Sequence, residues 1–340
     1  MNNLADGIMA YRLRWKRRRL LLRALRKRRQ LSVIINRTEQ IQDSDVLCFM
    51  TVRNEFQRLP YFMDHYRRLG VAHFLIVDNT STDETVPFLR AQHDVSLWQS
   101  GHSYRLSRFG MDWLTLLQIC HGHGHWCVTV DADELLIYPN WETRDLRALG
   151  EWLEQSERDA LGAIMLDMYP DGPLEDQSYR AGQNPIEVLK WFDAGNYSIQ
   201  IQPRLTNMWI QGGPRLRRFF DKDPQKAPTL NKIPFVKWNR RFVYNTSTHS
   251  LLPRRLNRTY ATDGGELTSG AILHTKFLPT IAKRSAEEKN RKEHFENSAL
   301  YDDYYDELTQ NPILKSETST PFTGWRQLEA KGLISRGGWV

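Results

Sequence analysis

The sequence predicts an α/β protein built on a mostly parallel sheet flanked by helices, and three observations predict it. Residues 46–52 (Val-Leu-Cys-Phe-Met-Thr-Val) form an unbroken apolar run of the kind a strand buried on both faces requires. Shorter apolar runs at 74–77, 95–98 and 126–130 alternate with amphipathic stretches of helical spacing, the pattern of a parallel sheet with right-handed crossovers. Polar residues gather just beyond the ends of these runs, where ligands bind in such sheets.

The charge is unevenly distributed along the chain. Residues 1–40 hold 12 Lys/Arg against two acidic residues, a net of +10, whereas the whole chain is +7, so the body carries −3. With 40% apolar residues and eleven Trp, the body has ample core material and global disorder is excluded. Residues 8–30 read as one helix without Pro, in which Leu13, Trp15, Leu20, Leu21, Leu22 and Leu25 interleave with arginines and lysines. Such a helix suits an anionic membrane surface; a solvated tail and a nucleic-acid arm are the alternatives. The acidic body speaks against nucleic acid, so no nucleic-acid partner is expected.

Cys48, Cys120 and Cys127 lie in apolar surroundings without metal-ligand spacing and read as free thiols of a reducing compartment. No run of about eighteen apolar residues appears, and Leu20 to Leu22 is interrupted at Arg23. A cytoplasmic location is therefore expected, peripheral on the inner membrane face if the basic helix docks there.

Taking the elements in order, a helix is expected from about 59 to 69, stopped by Gly70, and the strand at 74–77 ends in Asp78-Asn79-Thr80-Ser81. The next helix takes Thr82 as its N-cap, with Asp83 and Glu84 at its positive end. A helix over 108–120 and a Gly-broken loop at His121-Gly122-His123-Gly124-His125 precede the run at 126–130. The histidines of that loop lack partner ligands at zinc-site spacing.

Past the first run stands Thr51-Val52-Arg53-Asn54-Glu55, not a Gly-rich turn, which excludes a dinucleotide fingerprint; no phosphate-cradling G-x-x-x-x-G-K-[ST] occurs either. Past the fourth stands Asp131-Ala132-Asp133-Glu134. In extended backbone the two aspartates face one side, so both can approach one cation, and hard oxygen donors with open positions suit Mn²⁺ or Mg²⁺ bridging a diphosphate.

Together, residues 51–55, 75–85 and 130–135 resemble bacterial family 2-like glycosyltransferases, in the branch whose fourth strand ends in Asp-Ala-Asp-Glu. The resemblance is specific over about 45–140 and looser beyond. It implies a GT-A type, Rossmann-like fold, a nucleoside-diphosphate sugar donor (a UDP-sugar favoured), a divalent metal and a glycan or lipid-linked acceptor in surface polysaccharide synthesis. By that resemblance Thr51, Arg53 and Glu55 line the nucleotide pocket and Asp78 contacts uracil or ribose. Asp131 and Asp133 sit at ribose and metal, with Asp133 the direct ligand. The Gln-x-x-Arg-Trp of polymerising synthases is missing, since Gly324-Trp325-Arg326-Gln327 is a different arrangement, and so is a Glu-Asp or Asp-Asp pair for the acceptor base.

For that base the second half offers Asp167, Asp171, Asp193 and Glu266, with Asp193 preferred because its aromatic neighbours would raise its pKa by desolvation. Trp191 reads equally as sugar platform or core. His274, ending a short apolar run, is expected to complete the metal's ligands, ahead of His249; Lys276 and Lys232 are diphosphate candidates. The expected organisation is a basic helix or tail at 1–40, a GT-A domain at 45–280 (nucleotide half 45–140, acceptor half 160–280) and a C-terminal helical extension at 281–340. Two other functions fit less well: a sugar nucleotidyltransferase, which would show a Gly-rich loop after the first strand, and a catalytically silent membrane scaffold of a polysaccharide complex.

Overall fold

The computed structural model describes residues 2–261, 266–281 and 302–339. The chain opens with α1 (Asn2–Arg26), a turn of 3₁₀ helix (Lys27–Gln30) and the edge strand β1 (Ser32–Ile35). Then β2 (Val46–Val52), α2 (Leu59–Arg68), β3 (Val71–Asp78), α3 (Thr85–Arg90), β4 (Val95–Gln99), α4 (Met111–His121) and β5 (Trp126–Thr129) alternate as expected. They are followed by β6 (Glu134–Ile137), α5 (Leu146–Gln155), β7 (Ala160–Asp167), β8 (Trp191–Asp193), and a hairpin of β9 (Ser198–Ile201) and β10 (Met208–Gln211). Next come α6 (Gly213–Phe219), β11 (Asn231–Lys237), the pair β12 (Val243–Thr246) and β13 (Ser250–Leu252), and β14 (Gly270–His274). The chain closes with α7 (Asp302–Thr309), β15 (Ser319–Pro321) and α8 (Trp325–Ala330). Of the tail expected to be helical at 285–305, residues 285–301 lie outside the described residues.

Nine strands form one sheet in the order β1-β4-β3-β2-β5-β11-β7-β14-β6. The block β4-β3-β2-β5 is parallel throughout, and β7 and β14 run the same way. The sheet is therefore the Rossmann-like, mostly parallel one the sequence predicts, with helices packed on it. Three strands oppose that direction: β1 and β6 at the edges, and β11, which inserts antiparallel between β5 and β7. That insertion brings the second half of the chain against the parallel block of the first half at the sheet's centre.

The apolar run of β2 shows why both faces are covered. Cys48, Met50 and Val52 enter a core shared with Phe62 and Met63 of α2 and Leu149 of α5. Leu47 and Phe49, on the alternate face, pack with Trp113 and Leu117 of α4. Trp325, Leu328, Ile334 and Trp339 return to the first of these cores, so the C-terminal segment is part of the main packing.

Three local readings are corrected. The N-terminal helix begins by Asn2 and gives way to a 3₁₀ turn at Lys27, where the sequence had one helix over 8–30. Far from a loose tail, α1 buries Leu13 and Ala24 against the body. The helix after β3 starts at Thr85, not behind Thr82: the Thr82 amide is drawn away to Asn54 Oδ1 (2.7 Å), and Asp83 Oδ1 receives the Thr85 amide (3.0 Å).

Candidate functional site

The carboxyl ends of β2, β3 and β4 are knitted into one wall. Arg53, just past β2, donates from one guanidinium nitrogen to the carbonyls of Asn79 (2.7 Å) and Thr80 (3.0 Å). Asn54 donates its amide to Ser81 Oγ (2.9 Å), and the Glu55 amide goes to Thr85 Oγ1 (2.9 Å). Asn79 continues the lacing to the carbonyls of Ser100 (2.8 Å) and His102 (3.0 Å) beyond β4. Asn54 and Thr80 hold φ of 52° and 58°, a left-handed backbone that Asn tolerates best, and that Thr adopts only where its surroundings fix it. Asp78 is fully buried, its carboxylate receiving the Ser81 amide (3.2 Å) and Gln99 Nε2 (3.1 Å), so it braces the turn from within. Thr51 Oγ1 is buried with no hydrogen-bond partner, pressed against the loop before α4 at Gly110.

Facing this wall, the register of β7, β14 and β6 sets three chemistry-bearing residues abreast. His274 pairs with Asp167 on one side and Glu134 on the other. His274 Nδ1 bonds Asp167 Oδ1 at 2.6 Å, and Nε2 points to Asp133 Oδ2 at 3.3 Å. Arg215 of α6 holds the second Asp167 oxygen at 2.7 Å. Burial alone would raise the Asp167 carboxyl; Arg215 and His274 outweigh it and hold it at about 2. The same balance keeps Asp133 well below the usual carboxylate range, where His274, Arg58 and Lys276 overcome burial. Burial would lower His274, but Asp133 and Asp167 raise it.

Asp131 to Glu134 is a turn, closed by the Glu134 amide on the Asp131 carbonyl (3.0 Å), not the extended segment the sequence suggested. Asp131 is left more than half exposed at the mouth, while Asp133 turns inward to His274. Thr275 fixes the turn by donating its amide to the Asp133 carbonyl (2.7 Å). Glu134 receives the Asp131 amide (3.2 Å) and the buried Lys232 ammonium (2.7 Å), which stands 3.9 Å from Asp131. Burial would lower the Lys232 pKa, but the Glu134 and Asp131 carboxylates raise it.

The residues present fit a hard divalent cation. Among the described residues no three His, Cys, Asp or Glu side chains converge closely enough to enclose an ion. Asp133 and His274 make a two-donor set with Asp131 beside it, and Mg²⁺ or Mn²⁺ in such open sites completes its shell with water and phosphate oxygens. The Asp167 bond on Nδ1 turns the Nε2 edge of the ring towards Asp133, the arrangement by which a carboxylate orients a metal-binding imidazole.

The remaining candidates are placed as follows. Lys276 lies just past β14, its ammonium 5.4 Å from the centroid of the Tyr304 ring. Asp193 is buried, and both its oxygens are taken: Arg217 binds them at 3.0 and 3.1 Å, with Tyr169 and Asn196 adding donors. Asp193, expected as a desolvated base, is half of an ion pair with the arginine of α6, a partner that the aromatic context does not reveal. Asp171 is exposed and paired with Lys315, and Glu266 receives Ser335 Oγ (3.1 Å). His249 Nδ1 bonds the Asn231 carbonyl (2.6 Å), and burial, with Lys232 and Arg215 nearby, lowers its pKa to about 3. Trp191 carries the Lys315 ammonium 3.8 Å over its ring.

Sequence reasoning missed Arg58, which is buried, binds Glu55 Oε2 (3.1 Å) and reaches the Lys276 carbonyl (3.4 Å), tying the two halves of the site together. Its i, i+3 spacing from Glu55 was the available signal. It also missed the pairing role of Asp167 and the Glu134–Lys232 pair.

No protein-family model matches the chain, and no curated protein matches it. Among solved structures, the mannosyltransferase PcManGT from Pyrobaculum calidifontis, in complex with GDP-Man and Mn²⁺, overlaps at 19% identity and a TM-score of 0.27, covering 46% of this chain and 47% of that one. A 4-diphosphocytidyl-2C-methyl-D-erythritol synthase overlaps at 16% identity and a TM-score of 0.25, covering 41% and 65%. HddC from Yersinia pseudotuberculosis overlaps at 9% identity and a TM-score of 0.31, covering 72% and 98%. The chain thus spans under half of the mannosyltransferase and less than two thirds of the synthase. Overlaps this slight carry nothing about activity, and the functional reading rests on the strand-end residues themselves.

Proposed function

We propose that the chain is a metal-dependent glycosyltransferase that moves a sugar from a nucleoside-diphosphate donor, by preference a UDP-sugar, to a hydroxyl of a glycan or lipid-linked acceptor in surface polysaccharide synthesis. One observation carries the reading. Asp133 and His274 meet at 3.3 Å across the carboxyl edge of the sheet, with His274 held from behind by Asp167, opposite the wall built by Arg53, Glu55 and Asp78. A nucleoside lies along that wall, against Thr51, Arg53 and Glu55, with Asp78 bracing the turn beneath it. Asp133 and His274, with Asp131 at the mouth, would hold Mn²⁺ or Mg²⁺. When bound, the ion supplies charge neutralisation for the departing diphosphate.

The chain's own residues do the rest. Arg58 and Lys276 put positive charge beside Asp133, where diphosphate charge would gather. Lys232 acts at one remove: its ammonium is matched by Glu134, and together they fix the turn that carries Asp131. Of the acceptor-side carboxylates, Asp167 and Asp193 are committed to arginines, which leaves two exposed base candidates: Asp171, paired with Lys315, and Glu266, bonded by Ser335.

Calorimetric titration of UDP, GDP and CMP, each with and without Mn²⁺, into wild type and Asp133→Ala tests the reading. The expected result is metal-dependent binding of one nucleotide, UDP first, lost in the variant. Well-folded protein that binds none of them would overturn it in favour of a silent scaffold. Release of pyrophosphate from a nucleoside triphosphate and a sugar phosphate would favour a nucleotidyltransferase instead.

A further inference from the structure

The N-terminal helix has two apolar sides, and the body uses only one. Leu13, with Met9, Leu20 and Leu21 packed alongside, faces β12 and β13 through Val243 and Leu252, and Ala24 on the same side is buried as well. Arg23 locks this side by bonding the buried Asp112 of α4 at 2.5 Å. On a helix of 3.6 residues per turn, Ile8, Tyr11, Trp15, Leu22 and Leu25 fall within an arc of about 100°, centred on the side opposite Leu13 and Ala24. All five are between 43% and 59% exposed, which for large apolar side chains at regular spacing demands a partner.

The character of that partner is written in the flanking charges. Arg12, Arg19 and Arg26 border one side of the stripe, Arg14 borders the other, and Arg18 stands within it, all exposed. No acidic residue occurs from Ile8 to the end of α1. The Tyr11 and Trp15 rings meet edge to face with centroids 6.2 Å apart, and the Arg18 guanidinium lies 5.3 Å from the Trp15 centroid. A second copy of the chain would set arginine against arginine. Nucleic acid would satisfy the arginines and leave the apolar stripe in water. An anionic bilayer satisfies both, since its acyl boundary takes the stripe and its headgroups take the guanidinium groups that snorkel beside it.

We propose that α1 lies flat on an anionic lipid surface through Ile8, Tyr11, Trp15, Leu22 and Leu25, while its opposite side stays clamped to the body. The helix is then a rigid platform that presents the body to the membrane in one orientation. The tip of the β9–β10 hairpin packs on the clamped side through Leu205, so that hairpin is held close to the same surface. The inference stands whether or not the chain uses a nucleotide sugar, because nothing in it depends on the strand-end residues.

Flotation of the full chain with vesicles tests it, using phosphatidylcholine alone and an equimolar mixture with phosphatidylglycerol. Wild type is expected to float with the anionic vesicles only, and to lose binding as salt rises. Trp15→Ser with Leu22→Ser is expected to weaken binding by roughly tenfold or more with an unchanged melting temperature, since each removes an exposed side chain that would otherwise enter the bilayer. Ile313→Ser, at an exposed apolar residue that bridges to Pro173 and belongs to neither the helix nor the hairpin packed on it, is expected to bind as wild type. Three results would overturn the proposal: no flotation of wild type, equal flotation of wild type and the double variant, or a stable dimer or nucleic-acid complex that the double variant abolishes.

Discussion

His274 and Asp167 end adjacent parallel strands on the same rung of the sheet, and a 2.6 Å hydrogen bond joins their side chains. The pair sets which edge of the imidazole faces Asp133. Asp167→Asn is therefore expected to weaken Mn²⁺ binding by about 10- to 100-fold. Nucleotide binding without metal is expected to change little, which distinguishes a positioning role from general damage. Manganese titration followed by calorimetry, with and without UDP, checks both.

Asp193 offers the contrasting case. If it anchors Arg217 and Tyr169, Asp193→Ala strands a partly buried arginine and costs about 3–5 kcal/mol of stability. Nucleotide and metal affinity are expected to stay near wild type below the melting transition. Urea unfolding beside calorimetry reads the two separately; a variant of full stability but no turnover would restore Asp193 as the base.

Lys232→Met removes the only cation bonded to Glu134 among the described ion pairs and leaves that carboxylate buried. A loss on the order of 3–5 kcal/mol is expected. Lys232→Met with Glu134→Gln is expected to recover much of it, because the uncompensated charge is then gone. Chemical denaturation of the two variants measures the difference.

Gly110 has φ of +76°, and a Cβ there would meet Thr51 Oγ1 at 2.5 Å. Gly110→Ala is expected to cost about 1–3 kcal/mol through backbone strain and overlap. It is also expected to weaken nucleotide binding by displacing Thr51, so both the urea midpoint and the UDP titration are expected to move.

His65 is 2% exposed and bonds the Leu136 carbonyl at 2.9 Å, and burial lowers its pKa from 6.5 to about 4. The folded form holds it neutral where the unfolded chain would protonate it. Its contribution is therefore fully present above pH 6.5 and is lost as pH falls towards 4, at about 1.4 kcal/mol per pH unit. Urea midpoints at pH 7.5 and pH 5 are expected to converge in His65→Gln relative to wild type.

The first four strands of the parallel block were legible because burial on both faces forces continuous apolar runs, as in β2, and the strand-end polar residues followed from them. The second half was harder for a physical reason. The pairing of β11 with β5, and of β14 with β6 and β7, joins residues far apart in sequence, and no local pattern encodes such partners. Asp167 stood among the candidate bases because a carboxylate after an apolar run looks the same whether it meets substrate or an imidazole. Asp193 misled similarly, since the aromatic residues around it are visible in sequence and the arginine opposite it is not. The turn at Asp131–Glu134 reads as extended in sequence because the bonds that brace it from outside, from Thr275 and Lys232, come from distant parts of the chain.

Arg23 on α1 and Arg108 before α4 share the two oxygens of the buried Asp112, and Gln30 caps Trp113 from the same side. Arg108 to Gly110, all of positive φ, then run directly against Thr51. A proteolytic cut that released the first thirty residues would thus remove contacts that steady α4 beside Thr51. The first thirty residues serve as a bracket rather than a leash.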